Sequence, residues 1–364
     1  MDNKLSTITY GTLIAFQSLV ALSLLAFALT FFFARATFFS VFPDLEQWRL
    51  PAMVEKVARV SPTGEKLPPR PLFLPPPLPK EPPAPPLAFL PPLPEPLKGK
   101  PVIFQKGETS GVPYYIARVS LKDPETFMTI GLPHGATMAN SPTVQNGDES
   151  FPSFVKRMKA AVIINGTFFS KDQQKRVMGN MVADGKVLKY SQWENYGTTL
   201  GIKLGNQPEM ITARRQGKPN YDDYWFSITC GPRLLDNGSP CVDPQAEGFA
   251  DPHVLGVGPR CAMGYPASRD SIYLLVFLKG LSLKKEAEVM KALGCLDAMN
   301  LDGGASRAIA HMGTVVVPAS RSLTNVIAVY DTSCHAPQAV RSSWRQFQRE
   351  KLSKQKGGIW PFGS

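Results

Sequence analysis

Positions 295–309 read CLDAMNLDGGASRAI. An apolar run carries Asn300 and Asp302 straight into Gly303 and Gly304, and the pattern then turns strand-like again toward Ile309. A tight turn asks for glycine, because glycine tolerates φ > 0. It does not ask for Asn300, Asp302 and the Ser306 hydroxyl beside it. Either this is a decorated turn, or the backbone must come close to a ligand on which the carboxylate acts. Upstream, Ser282 to Leu293 carries helix signals, with Ser282 as N-cap and Gly294 just past the end. A helix therefore feeds directly into a buried strand that ends in the polar cluster.

Working outward, short apolar runs alternate with Gly, Asp and Asn turns from Val102 onward: YYIARVSL, AAVIING, TTLGIKL, YWFSITCG, SIYLLVFL, TVVVPA and NVIAVYD. These predict strands. Phe151 to Lys159 predicts a short second helix. No internal repeat is visible. The expected fold is α+β: one strand-rich, catalytic-type domain over residues 98–335, with a basic C-terminal tail over 336–364.

The residues before it are of another kind. Tyr10 to Ala34 has no charged side chain. At 1.5 Å per residue it is long enough to cross a hydrocarbon core of about 30 Å. It exceeds a secretory apolar region of about 7–15 residues, so a retained signal anchor over 10–34 is expected. Residues 1–9 are then a short cytoplasmic tail. Ala34-Arg35-Ala36 resembles a cleavage site, which keeps a removed signal peptide as the alternative. Residues 35–66 are juxtamembrane. Fifteen of the 35 prolines fall between Pro68 and Pro96. Proline fixes φ and cannot donate a hydrogen bond, so residues 67–97 predict an extended linker.

The formal charge of +11 points to an anionic partner. Much of it lies in the tail: Arg341, Arg345, Arg349, Lys351, Lys354 and Lys356 oppose only Glu350 after Val340. No nucleic-acid motif accompanies the charge, and no nucleic acid is expected. The five cysteines show no C-x-x-C spacing. Outside the cytoplasm, Cys230–Cys241 or Cys295–Cys334 could pair; free thiols are the equal alternative.

Several predicted strand ends carry polar residues: Asn165, Arg260, Asp302, Ser306, Arg321 and Asn325. Each alone has a bland reading as turn chemistry. Function collects at such loops. The four histidines form no spaced pair, which argues against a zinc hydrolase and a Ser-His-Asp triad. Carboxylate and arginine chemistry fits better, with arginine as a bidentate phosphate donor.

The order of landmarks is similar to the phosphodiester glycosidase family. Asn165-Gly166-Thr167-Phe168-Phe169, Asp184-Gly185-Lys186, Arg260-Cys261-Ala262-Met263-Gly264, the helix residue Glu286, and Asn300-Leu301-Asp302-Gly303-Gly304 follow the family's elements in sequence. The match spans about Pro101 to Thr332. Two positions depart from the pattern: Ala305 stands at a third glycine, and Ser322 follows Arg321 where the family has proline. If position 305 needs φ > 0, alanine there costs about 1 kcal/mol.

The resemblance implies an α+β fold, an extracytoplasmic setting (periplasm or cell surface) and hydrolysis of a sugar-1-phosphodiester in cell-envelope glycans. Asp302, Arg260 and Asn165 are the candidate catalytic residues. Asn300, Gly303, Gly304, Ser306, Arg321, Asn325 and Glu286 are the candidate substrate-binding residues. Arg260 is expected to partner Asp302, with both arginines holding phosphate, Asn165 and Asn300 bonding the sugar, and all of them in one open cleft. No cofactor is required, and a divalent cation such as calcium at Asp302 stays open. The alternative is a non-catalytic envelope binding or assembly module. A phosphatase or nuclease is the weaker third reading, because one carboxylate and few histidines make a two-metal site hard to assemble.

Overall fold

The computed structural model describes residues 98–141 and 147–357. The anchor, juxtamembrane segment and proline-rich linker expected before residue 98 lie outside them. Among the described residues no helix is long and apolar enough to cross a membrane.

Strands β1 to β17, numbered in chain order among the described residues, form three antiparallel sheets. The first runs β1 (Ile103–Thr109), β2 (Val112–Ser120), β13 (Ser271–Phe277), β12 (Cys261–Pro266), β14 (Cys295–Asn300), β10 (Arg233–Asp236) and β11 (Ser239–Pro240). The second runs β16 (Thr314–Val317), β15 (Ile309–His311), β4 (Val162–Asn165), β17 (Val326–Tyr330) and β3 (Phe127–Gly131). The third runs β6 (Lys186–Lys189), β5 (Met181–Ala183), β9 (Phe226–Cys230), β7 (Thr198–Lys203) and β8 (Gln207–Thr212). All seven apolar runs that predict strands are strands, and Asp184-Gly185 turns the β5–β6 hairpin.

β4, β9 and β17 are buried at every residue. That is why VIIN, FSITC and VIAVY show no polar alternation: both faces meet apolar neighbours. One continuous core joins Ile163, Ile164, Ile228, Met263, Met299 and Ile327, drawn from all three sheets. The polar ends of β4, β9, β12, β14 and β17 belong to strands of this shared core.

Among the described residues, helices α1 to α5 accompany the sheets. α1 (Phe151–Met158) is capped by Ser150, whose side chain accepts from the Ser153 amide, and ends in a left-handed Lys159. α2 (Ala213–Gln216) and α3 (Pro252–Leu255) are single turns. α4 (Leu283–Ala292) has Ser282 as N-cap, accepting from the Lys285 amide at 3.3 Å. Gly294 follows at φ +81° and leads straight into β14. α5 (Gln338–Gly357) carries the basic C-terminal stretch. Phe347 on α5 is buried, and Trp344 meets Trp225 edge-on at 5.1 Å. Burial of one such aromatic side chain contributes roughly 1.5–3 kcal/mol, so the inner face of this stretch is part of the domain.

Candidate active site

Asp302 lies two residues beyond β14, and three bonds fix its backbone. Its amide donates to the Gly166 carbonyl at 3.1 Å. Its carbonyl accepts from the Asn165 side-chain amide. The Leu301 amide before it donates to the Cys261 carbonyl at 2.7 Å. The loops after β4 and before β12 thus hold the Asp302 loop between them.

Asn165 is fully committed to this task. Its Oδ1 accepts from the Ala308 amide at 3.0 Å and from the Cys261 thiol at 3.1 Å, while its Nδ2 donates to Asp302. Burial pushes the Cys261 thiol far above its ordinary pKa, so the sulfur keeps its proton and remains a donor. Asn325 does the same work on the other side, accepting from the Thr167 amide at 2.7 Å and donating to the Thr167 carbonyl. Asn300 ties β14 to the β9–β10 link: its side chain donates to the Gly231 carbonyl at 2.9 Å, and its own carbonyl accepts from the Gly231 amide. All three asparagines are essentially buried. Asn165 and Asn300, expected as sugar ligands, are turned toward protein backbone, and of their side-chain atoms only the Asn300 Oδ1 lacks a partner.

The Asp302 carboxylate bonds Arg321, whose guanidinium donates at 3.0 Å. A second guanidinium nitrogen, Nε, donates to the Ser306 hydroxyl at 2.7 Å. The arginine carbon sits 4.3 Å from the centroid of the Phe169 ring, a cation–π contact. Burial raises the Asp302 pKa to about 6, against the opposing pull of Arg321, Ser306 and the Gly303 amide. The pair is asymmetric in exposure: the Asp302 side chain is 8% exposed and Arg321 35%.

The expected Asp302–Arg260 pair does not form. Arg260 directs its guanidinium to the carbonyls of Val254, Gly256 and Leu281. Its backbone is beside the signature loop, because the Gly304 amide donates to the Pro259 carbonyl at 2.9 Å. Residue 260 is therefore close in space, but its charge points to the end of α3. Glu286 is fully buried on α4, with neither carboxylate oxygen hydrogen-bonded. Its pKa is driven well above the ordinary range by burial, with Arg260 pulling the other way. Asn165, Asn300, Asp302, Ser306, Arg321 and Asn325 thus form one connected cluster, and the Arg260 and Glu286 side chains form a second, buried one. Asp302 is buried beneath Arg321 instead of lining an open cleft.

The two glycines serve different ends. A Cβ on Gly303 would stand 2.3 Å from the Pro259 carbonyl oxygen, so close backbone approach requires glycine. Gly304 has φ +55° with open space around it. Ala305 keeps a negative φ and is exposed, so the departure there carries no backbone strain. Ser306 returns to the buried side to meet Arg321.

Sequence reasoning did not identify the Arg321 arrangement or the Cys261 donor. A signal existed for the first. The β15–β16 hairpin turns at Met312-Gly313, both at positive φ, and the Ser320 amide closes it by donating to the Ala305 carbonyl at 2.8 Å. That closure puts residue 321 beside residue 302.

All five cysteines are free, three of them buried. Among the described residues no three His, Cys, Asp or Glu side chains gather where they could share a metal ion. Asp302 contributes the cluster's one carboxylate.

The structure aligns with that of a hypothetical protein from Synechocystis at a TM-score of 0.47 and 16% identity, covering 63% of this chain and 61% of that one. This chain thus spans less than two thirds of that protein. It also aligns with the zebrafish N-acetylglucosamine-1-phosphodiester alpha-N-acetylglucosaminidase catalytic domain, auto-inhibited by pro-peptide, at a TM-score of 0.48 and 20% identity, covering 64% of this chain and 83% of that one. No curated protein matches the sequence. The family model for phosphodiester glycosidases matches residues 158–330, which include Asn165, Arg260, Asp302 and Arg321. Residues 158–330 of this chain belong to the phosphodiester glycosidase family.

Proposed function

We propose that the chain hydrolyses sugar-1-phosphodiesters, with Asp302 as the catalytic carboxylate and Arg321 as the phosphate ligand. The observation that supports it best is the buried Asp302 carboxylate bonded to a half-exposed arginine that a hydroxyl and an aromatic face hold in place. In the reaction the bond from the anomeric carbon to the phosphate oxygen breaks. The phosphomonoester departs with the electron pair, and the oxygen of water bonds to the anomeric carbon. The ionised Asp302 carboxylate takes the proton of that water. A phosphate monoester is a good leaving group, so one carboxylate suffices where most glycosidases use two. Arg321 offers its guanidinium to the phosphate oxygens, in the manner of charge-assisted arginine–phosphate recognition. Asn165 and Asn325 act as positioning residues, because their side chains are spent on the backbone turns that set the Asp302 loop.

In this reading residues 10–34 tether the chain to a membrane and the domain works outside the cytoplasm on envelope glycans. The deciding experiment is turnover of a sugar-1-phosphodiester by the full chain and by its Asp302→Asn variant. Release of free sugar by the first and a loss of at least about a thousandfold in the second is the expected result, in the range seen when a key charge is removed. Binding of the diester without turnover by either protein would instead support a non-catalytic binding module.

A further inference from the structure

A groove begins next to the site and leads away from it. Its near part, about 480 Å³, is bounded by Thr324, Pro133, Asn140, Lys175 and Arg176. Its far part, about 570 Å³, shares Met138, Asn140 and Arg176 with the near one and continues to Met178, Tyr190 and Glu194. Val177 lines both parts and pairs across a β-bridge with Phe169, the residue whose ring supports Arg321. Thr324 is three positions from Arg321 and next to Asn325. The groove and the Asp302–Arg321 cluster are thus joined through the same backbone segments.

The composition changes along it. Near Thr324 the lining carries Lys175 and Arg176 and no carboxylate. Farther out the charges balance: Arg176 lies 3.8 Å from Asp172, and Lys189 pairs with Glu194 at 2.5 Å. There the lining exposes large side chains, with Met138 59%, Tyr190 57% and Met178 41% exposed. Trp193, three residues from Tyr190, is 85% exposed. The Tyr190 ring is held edge-on against Tyr221 at 5.7 Å. A single exposed aromatic needs no explanation, but several around one polar, concave groove mark a binding surface. Rigid aromatic faces among hydrogen-bonding groups suit sugar rings. The C–H face of a sugar lies on the electron-rich ring, while its hydroxyls reach the asparagine, serine and carboxylate groups at the edge.

We propose that this groove holds an oligosaccharide chain, with its phosphate-bearing end toward Lys175 and Arg176 and its following sugars along Tyr190 and Trp193. The protein would then act on phosphodiesters carried by a glycan chain in preference to small sugar phosphates. This rests on the hydrolase reading above, but its test does not depend on turnover. The full chain is applied to an array of neutral, N-acetylated and phosphorylated oligosaccharides from disaccharides upward. The expected result is retention that strengthens with chain length, persists in Asp302→Asn, and weakens about tenfold or more in Tyr190→Ala and Trp193→Ala. Trp193→Ala removes a side chain exposed to solvent and leaves the core intact; Trp193→Phe should restore retention. Retention that ignores both aromatic substitutions, or none on any oligosaccharide, overturns the proposal. Either outcome leaves the turnover result of the small diester standing, and a catalytically silent protein that still binds glycans overturns only the hydrolase reading.

Discussion

Arg321 reaches the Asp302 carboxylate at 3.0 Å while its own Nε is held by Ser306 at 2.7 Å. Burial and the guanidinium act on Asp302 in opposite senses, and burial prevails, leaving a pKa of about 6. Catalysis by the ionised carboxylate then predicts a kcat/KM that rises with pH and levels off above about 6. In Arg321→Gln the opposing pull disappears, so the acid limb should move to higher pH, and the plateau should fall by about a hundredfold or more as the phosphate ligand is lost. A pH–rate profile of both proteins checks this. An acid limb that stays put, or moves down, would separate Arg321 from Asp302 in the mechanism.

The Cys261 thiol is a donor to Asn165, and burial keeps it protonated. Cys261→Ser retains a donor and should keep kcat within about threefold, since a hydroxyl replaces a weak thiol bond. Cys261→Val leaves the Asn165 oxygen with the Ala308 amide alone. A loss of about 1–3 kcal/mol in stability is expected where a buried polar group loses a partner, together with a fall in kcat as the Asp302 loop shifts. Urea unfolding and initial rates on the two variants test the pair. Equal behaviour of serine and valine would show that the sulfur acts by volume alone.

Glu286 gives a stability test independent of activity. Its folded pKa is raised well above 4.5 by burial. An acid shifted in this direction stabilises the fold most below its unfolded pKa, and that contribution is lost as pH rises from about 4.5 through the folded value. Glu286→Gln carries no charge to desolvate. The melting temperature of the variant, compared with wild type, should therefore gain between about pH 4.5 and about pH 8. A difference that is constant over this range would mean that the glutamate charge is compensated, most simply by Arg260.

Much of the fold was legible because strand and helix signals are local. VIIN, FSITC and VIAVY announce buried strands, and Ser282 with Gly294 brackets α4. Which strands pair was not legible, since all the runs are similarly apolar and pairing depends on contacts far apart in sequence. The site follows the same division. Asp302, Ser306 and the glycines stand in one stretch and could be read as a unit. Arg260 and Arg321 both precede strands, and nothing local distinguishes them. The choice is made by the closed β15–β16 hairpin, which returns Arg321 to Asp302, and by the carbonyls of Val254 and Gly256, which draw Arg260 away. The three asparagines look like ligands in the sequence because asparagine suits both sugars and backbone turns; in the fold, the turns claim them.

Tethering through residues 10–34 with the domain outside the cytoplasm predicts that protease added to intact spheroplasts removes the domain, while a cytoplasmic marker survives. Full protection of the domain until lysis would contradict the proposed orientation.

With Asp302 activating water and Arg321 holding phosphate, cleavage falls at the anomeric carbon and not at phosphorus. The most direct measurement is hydrolysis of a sugar-1-phosphodiester by the full chain in ¹⁸O-labelled water, with the released phosphomonoester followed by phosphorus NMR. The expected result is no isotope-shifted phosphorus signal, because the water oxygen joins the sugar, and no reaction in Asp302→Asn. A shifted signal would place water on the phosphate and make the chain a phosphodiesterase in the ordinary sense, contradicting the proposed roles of Asp302 and Arg321.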